Sequence, residues 1–119
     1  MANPITDNVK IGTIGELLIQ LRLLEFGIQA APPIKDSGND LIAIKGEVAK
    51  FIQVKTTKNN SWNLKNLPPI YHLIFLVKLE SESGKILFDK SKIYFISKGQ
   101  SINEKKLLTE DSIREIWDN

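Results

Sequence analysis

The chain has 119 residues, which is the size of one domain and enough to bury a core of its own. It carries 16 lysines and arginines against 14 aspartates and glutamates, and a net charge of +2 is by itself weak support for nucleic-acid binding. There is no cysteine, which excludes a disulfide scaffold and a thiolate zinc site. His72 is the single histidine, which excludes a multi-histidine metal centre. Any bound metal would therefore be a hard cation held by oxygens.

The first predicted element is a helix over residues 9–27, preceded by a loose lead-in at residues 1–8. The lead-in has no apolar core, so it does not resemble a secretory signal, and no stretch has the length of a membrane span. We therefore expect a cytoplasmic protein. The helix has a main apolar stripe, formed by Ile14, Leu17, Leu18, Leu21 and Leu24.

Apolar side chains also lie away from this stripe, at Ile19, Leu23 and Phe26. A closing helix within residues 109–119 is one way to cover this second face, and a neighbouring protomer is the other. The buried stripe of the closing helix would consist of Ile113, Ile116 and Trp117, with Thr109 near the N-cap. Because closed two-fold symmetry is the commonest arrangement of identical chains, we expect a homodimer or a higher even oligomer.

Between the two helices the pattern predicts strands. A short extended piece at 28–34 is limited by its two prolines. It is followed by a hairpin whose arms are 39–44 and 48–57, with Gly46 in the turn. The hairpin would supply neighbouring antiparallel strands of one sheet.

A polar loop at 58–69, closed by two prolines, follows the hairpin. The near-continuous apolar run at 70–80 is typical of a central strand. After a turn at Gly84, further strands are predicted at 85–88 and 92–97. The order of elements is therefore helix, three strands, loop, further strands and helix.

Three polar residues in the hairpin have no obvious purpose in a fold: Asp40, Gln53 and Lys55. Gln53 and Lys55 are two apart and project to one face of their strand, while Val54 points to the other. Paired strands lie about 5 Å apart, so the three side chains can meet in one patch. The structural alternatives are a turn cap for Asp40, an ordinary strand surface for Gln53 and Lys55, and a helix-dipole role for Glu16.

The stretches GTIGELLIQLRLLEFG, GNDLIAI and FIQVKTT resemble the PD-(D/E)xK nuclease superfamily over roughly residues 11–98. They look most like a small group with glutamine in the acidic position, similar to a homing endonuclease of group I introns and distantly to archaeal Holliday-junction resolvases. The resemblance implies one restriction-endonuclease-like α/β domain over 1–119, with a central mixed sheet flanked by helices. Two departures are Asn39, which replaces the proline before Asp40, and the 58–69 loop, which is too short for the usual second helix.

Carried over by position, the resemblance implies that the catalytic residues are Glu16, Asp40, Gln53 and Lys55. Mg²⁺ or Mn²⁺ would be held by Asp40, Gln53, Glu16 and the backbone carbonyl of Val54. Lys55 would position the attacking water and stabilise the charge that develops on the phosphate. Because glutamine supplies no charge, the affinity for the cation should be lower than in an Asp–Glu site. The implied function is a metal-dependent endonuclease that hydrolyses DNA phosphodiester bonds.

Other functions remain open. Gln53 is compatible with a degenerate, non-catalytic nuclease fold that binds nucleic acid or protein, and a scaffold or immunity-type protein is a third class. Lys50, Lys58 and Lys65 are candidate phosphate contacts or, alternatively, isolated surface lysines. Trp62 is expected to pack across its loop, with stacking on a base as the alternative. The pattern contains no visible element dedicated to reading a DNA sequence.

Overall fold

The computed structural model describes residues 5–34 and 38–118. In chain order the elements are α1 (Asp7–Glu25), β1 (Gln29–Ala31), β2 (Leu41–Lys45), β3 (Val48–Thr57), β4 (Leu73–Glu82), β5 (Lys85–Ser97), a 3₁₀ turn (Ile102–Glu104), β6 (Lys106–Leu107) and α2 (Glu110–Asp118). The predicted order of helices, strands and polar loop is confirmed. Helix α1 begins two residues earlier than predicted, because the Thr6 side chain caps it by accepting a hydrogen bond from the Val9 N–H. Residues 1–4 of the predicted lead-in lie outside the described ranges.

The six strands form one sheet in sequential order, β1 to β6. Strands β3 and β4 are parallel, and every other neighbouring pair is antiparallel. A parallel pair cannot be joined by a tight turn, so the chain must cross over one face of the sheet between the two strands. Here the crossover spans 58–72 and contains no helix. The mixed α/β sheet predicted from the sequence is therefore confirmed, together with the absence of the second helix.

The two faces of the sheet are covered by different parts of the chain. On one face, Leu41, Ile52 and Phe75 belong to a buried cluster with residues of both α1 and α2. On the other face, a smaller cluster consists of Ile74, Leu76 and Ile96, and it is packed against by Trp62, Leu64 and Leu67 of the crossover. The helices thus form one layer and the crossover the other. Within the described ranges, neither helix is long and apolar enough to span a membrane.

The face of α1 that enters the core differs in part from the predicted one, since Ile14 and Leu18 of the predicted stripe pack against the core and its other three residues do not. Gly15, Ile19 and Leu23 are buried, whereas Leu17, Leu21 and Leu24 of the predicted stripe are 52%, 61% and 61% exposed. The helix carries apolar side chains around most of its circumference, so periodicity does not select one face. The buried face is selected by contact with the sheet, where α1 approaches β3 closely at Gly15 and Thr56. A Cβ on Gly15 would lie only 2.9 Å from Thr56 Cβ and even closer to Thr56 Oγ1, so only glycine permits this approach.

The two strands predicted at 85–88 and 92–97 are one continuous strand, β5. Its pairing with β4 is irregular between Lys78 and Glu80, where residues 88–91 of β5 lie opposite the single intervening residue of β4. Ser91 stabilises the irregularity, since its Oγ accepts a hydrogen bond from the Glu80 N–H and donates one to the Leu87 carbonyl. The residues between the two predicted strands therefore form a bulge within β5 and do not interrupt the strand.

Helix α2 forms as predicted and begins with a reciprocal cap. Thr109 Oγ1 accepts a hydrogen bond from the Ser112 N–H, and Ser112 Oγ accepts one from the Thr109 N–H. Ile113 and Trp117 are buried in the cluster that contains Ile19 and Leu23, so the closing helix shares their core, as one of the two predictions proposed.

His72 couples the start of β4 to β3 in a pH-sensitive way. Its Nδ1 accepts a hydrogen bond from the Phe51 N–H at 2.9 Å, which requires the neutral imidazole. Burial, then the charges of Lys50 and Lys98, lower the pKa of His72. This contribution to stability is therefore complete above the ordinary histidine pKa of about 6.5 and is lost as the pH falls through that value towards the lowered one.

We expect the His72→Gln protein to lack this part of the acid dependence, because a glutamine side chain can offer an uncharged acceptor that does not titrate. The free energy of unfolding, measured by urea denaturation between pH 7.5 and about pH 5, should fall more steeply for the wild type than for the variant. Parallel curves over this range would show that His72 contributes nothing to the acid dependence.

Candidate active site

The candidate site lies where β3 continues past the end of its partner. Leu41, the first residue of β2, pairs with Ile52, and the β3 strand runs on to Thr57 with its edge on this side open. We call this point, where β2 ends and the edge of β3 becomes open, the fork. Asp40 lies there: its N–H donates to the Ile52 carbonyl, and its Oδ2 accepts a hydrogen bond from the Val54 N–H at 2.8 Å. The Val54 carbonyl faces the same edge, because N–H and C=O of one strand residue point to the same side.

Gln53 holds the segment that leads into Asp40. It is 5% exposed, and its Nε2 donates to the Gly38 carbonyl at 2.9 Å and to Asn39 Oδ1 at 3.0 Å. A backbone carbonyl only accepts, so these bonds fix the orientation of the amide and direct its Oε1 elsewhere. Among the described residues, Oε1 has no hydrogen-bond partner. Gln53 therefore combines a structural role with an oxygen that is available as a ligand.

Lys55 lies on the same face of β3 as Gln53, as predicted from their spacing. Gln53 pairs with Ile74 and Lys55 with Leu76, both of which belong to the cluster under the crossover. Lys55 also lines an open polar pocket of about 510 Å³ between β3 and the crossover. Asp40 and Gln53 do not line this pocket, so the lysine stands between the fork and the pocket.

Glu16 approaches the fork from the opposite face, since α1 packs on the side of Ile52 and Val54. Burial raises the pKa of Glu16, and the negative charge of Asp40 raises it further. The two carboxylates therefore influence each other around the open edge of β3. Within the described ranges there is no group of three or more His, Cys, Asp or Glu side chains that could hold a metal ion. A metal site at the fork would need the Gln53 amide oxygen or the Val54 carbonyl as well.

The three candidate phosphate-binding lysines are not brought together. Lys65 lines the 510 Å³ pocket with Lys55, and Lys58 lines a neighbouring cavity of about 360 Å³ between α1 and the end of β3. Lys58 also lies 4.0 Å from Asp7 Oδ2. Lys50 is five residues before Lys55 on β3, about 16 Å away along an extended strand, and its charge acts on His72 instead.

Two residues of the site had no assigned role in the sequence. Asn39 is buried, and its side chain accepts the Gln53 amide, a task that proline at this position could not perform. Thr56 receives the close approach of Gly15, and among the side-chain nitrogen and oxygen atoms that are themselves fully buried in the described ranges, its Oγ1 is the one without a hydrogen-bond partner. The signal in the sequence for this contact is the glycine at position 15 inside a helix pattern. The contact places Glu16, one residue on, beside the fork.

The backbone is similar to that of a bacterial homing endonuclease, I-Ssp6803I. The two structures superpose with a TM-score of 0.54 over 95% of this chain and 89% of the homing endonuclease, at 13% sequence identity. At this identity the likeness to the homing endonuclease shows the fold alone. No protein-family model matches the sequence, and no curated protein matches it.

The Gln53→Glu protein is expected to be less stable than the wild type, although it supplies a further carboxylate for a cation. An ionised carboxylate cannot donate to the Gly38 carbonyl and Asn39 Oδ1, and it would place a third oxygen against them. Leaving the buried Asn39 side-chain oxygen without its donor, next to a buried charge, costs about 2 kcal/mol or more. Urea denaturation at pH 7 in EDTA measures this loss.

Gln53→Met is the matched control, because it removes both donated hydrogen bonds without adding charge. We expect its loss of stability to be smaller than that of Gln53→Glu. Equal stability of Gln53→Glu and the wild type would contradict the structural role of the amide.

Proposed function

We propose that this protein is a Mg²⁺- or Mn²⁺-dependent endonuclease that hydrolyses DNA phosphodiester bonds, with residues 1–119 forming one nuclease-like domain of the PD-(D/E)xK type. The observation that carries the proposal is the fork of β2 and β3. There Asp40 is fixed on the open edge of β3 by the Val54 N–H, and Gln53 and Lys55 lie together on one face of β3. Similarity to the fold of a homing endonuclease supports it further.

The donor set of the fork suits a hard divalent cation, which prefers oxygen ligands. Asp40 uses Oδ2 to accept the Val54 N–H and retains Oδ1 as a ligand. The Gln53 Oε1 and the Val54 carbonyl would supply neutral oxygens, and Glu16 a second carboxylate at longer range. A bound cation would neutralise phosphate oxygens and lower the pKa of an attacking water.

Two side chains of the chain itself would carry the remaining chemistry. Lys55 would hold the attacking water and stabilise the negative charge that develops on the phosphate in the transition state. Glu16 must be ionised to serve as a ligand, and its burial beside Asp40 disfavours the ionised form. A cation at the fork would offset this repulsion, so cation binding and ionisation of Glu16 would support each other.

Incubation of supercoiled plasmid with the protein and Mg²⁺ or Mn²⁺ tests this function, with EDTA as the control. We expect nicked and linear products in the presence of the cation and none in EDTA. Retained DNA binding without cleavage in either cation would contradict the enzyme and favour the second candidate, a non-catalytic nucleic-acid-binding module. The commitment of the Gln53 amide to the Gly38–Asn39 segment is the observation behind that alternative.

The partner in this proposal is DNA, with Lys58 and Lys65 as phosphate contacts on either side of the end of β3 and Lys50 as a more distant contact. Phosphate contacts of this kind would position the duplex without reading its sequence. We propose a cytoplasmic setting, which the absence of cysteine from the sequence supports.

We further propose a homodimer or a higher even oligomer, because one chain offers one fork and two-strand cleavage requires two. The apolar surface that supports assembly is not the one predicted, since Ile19 and Leu23 are buried within the chain. The exposed stripe of α1, formed by Leu17, Leu21 and Leu24, borders a mainly apolar cavity of about 290 Å³ with Gln29 and Ala30 of the edge strand β1. A second copy would bury this stripe, and a stable contact would cover roughly 1,200 Å² or more in total.

The Leu21→Glu protein is therefore expected to have half the mass of the wild-type assembly, or less, by light scattering at micromolar concentration. It should nick plasmid while losing the linear product, because single-strand cleavage needs one site. Phe88→Glu is the control, since Phe88 is a similarly exposed apolar residue on β5. A wild-type protein that remains monomeric in the presence of DNA would contradict the assembly.

A further inference from the structure

The 510 Å³ pocket that Lys55 lines also has polar lining residues to which the proposed nuclease chemistry gives no role. Its walls come from the end of β3 and the first half of the crossover, and Trp62 is the one apolar side chain among them. The other lining residues are Lys55, Thr56, Thr57, Asn59, Ser61, Asn63, Lys65 and Asn66. Two lysines and no acid give the pocket a positive charge, and asparagines supply most of its hydrogen-bonding groups. This chemistry suits an anionic ligand with polar edges.

The crossover presents these polar groups on a firmly anchored backbone. The Trp62 indole N–H donates to the Val77 carbonyl at 3.0 Å, and its ring lies edge-on to Tyr94 with centroids 6.1 Å apart. Leu64 and Leu67 pack onto the buried cluster of that face. Trp62, Leu64 and Leu67 are thus turned towards the sheet, while Asn63, Lys65 and Asn66 are exposed to solvent. Such an arrangement needs no folding transition before a ligand binds.

The asparagines of the pocket are not equivalent. Asn59 Oδ1 accepts hydrogen bonds from Thr57 Oγ1, the Ser61 N–H and Ser61 Oγ, so this side chain is committed to holding the loop. Asn63 Oδ1 accepts one bond, from the Lys65 N–H, and keeps its second lone pair. Within the described ranges, the Asn63 Nδ2 and the whole amide of Asn66 have no hydrogen-bond partner.

We propose that Asn63 and Asn66 contact base edges of duplex DNA next to the scissile phosphate, with Lys65 on a phosphate between them. This inference rests on the proposed DNA substrate. An asparagine amide can donate and accept at once, which matches the adenine edge in the major groove, whereas a lysine matches a phosphate as a point charge. The pocket borders Lys55, so bases bound there would lie beside the reacting group. The crossover is thus both the connection between β3 and β4 and the sequence-reading element.

Selection from a library of duplexes with randomised positions, performed in EDTA so that binding is scored without cleavage, tests the assignment. Asn66→Gly removes the side chain while tolerating the backbone φ of 60° that Asn66 adopts. Asn63→Ser keeps an oxygen for the Lys65 N–H but removes the amide. Each is expected to weaken the base preference at one or two positions about tenfold. Asn60→Ser is the matched control, because Asn60 is exposed in the same loop but does not line the pocket.

Lys65→Gln provides an independent readout. It should leave the base preference unchanged and reduce the slope of log affinity against log salt concentration by about one. Lys85→Gln, an exposed lysine at the β4–β5 turn, is its control and should be less affected.

The inference is overturned if the wild type selects no base at any position, binds no duplex, or keeps its preference in both asparagine variants. These results are separate from a failure of the nuclease proposal. A protein that selects bases through Asn63 and Asn66 but never cuts DNA would retain the reading element and lose the enzyme. If the protein cuts DNA but both asparagine variants keep the base preference of the wild type, the nuclease proposal stands and the reading element is rejected.

Discussion

The Lys55→Ala protein is expected to cleave plasmid DNA about 100-fold or more slowly than the wild type, with its fold unchanged. Lys55 lines an open pocket and does not belong to the core cluster, so its removal leaves no cavity in the core, and in the proposed mechanism its charge would act on the phosphate. The charge is needed most when negative charge develops on the phosphate, so the loss should appear in the rate at saturating DNA. Single-turnover cleavage in Mg²⁺, with circular dichroism and urea denaturation to check the fold, measures both effects.

Lys90→Ala is the control for this variant, because Lys90 is exposed on β5 and lies away from the fork. It should cleave at nearly the wild-type rate, with any change confined to salt-dependent binding. If Lys55→Ala cuts DNA as fast as the wild type at equal metal concentration, Lys55 has no part in the mechanism and the fork loses its catalytic assignment.

The two glycines of the Gly12-x-x-Gly15 pair are expected to respond to alanine with opposite signs. A Cβ on Gly15 would collide with Thr56, whose Cβ would be 2.9 Å away, so the helix would have to move off β3. Overpacking of this kind costs about 2 kcal/mol. A Cβ on Gly12 would meet no atom within 4 Å, so Gly12→Ala should stabilise the helix by about 0.5–1 kcal/mol. Urea denaturation of the two variants gives both signs in one experiment.

Because Glu16 follows Gly15, the displaced helix should also move this carboxylate from the fork, and cleavage should fall in Gly15→Ala but not in Gly12→Ala. Thr56→Ala removes the hydroxyl that the new methyl group would meet, and it should restore part of the lost stability when combined with Gly15→Ala. Destabilisation of similar size in both single variants would show that helix propensity, and not the contact with β3, decides the outcome.

Local signals in the sequence were sufficient for most of the elements and for part of the candidate site. Gly46 between two strand patterns predicted the β2–β3 hairpin, and the reciprocal cap of Thr109 fits the predicted start of α2. The spacing of Gln53 and Lys55 placed both on one face of β3, because alternation along a strand is a local property. These predictions depended on residues that are neighbours in sequence, where geometry follows directly from backbone periodicity.

Contacts between distant residues decided the rest. Helix α1 is apolar on several sides, so only the close approach of Gly15 to Thr56 determined that Ile19 and Leu23 would be buried and Leu21 exposed. The same approach brings Glu16 to Asp40 around the edge of the sheet. The use of the Gln53 amide on the segment before Asp40 also required the folded hairpin. Such features depend on which surfaces pack most closely in three dimensions, and the pattern of apolar and polar residues along the sequence does not specify this packing.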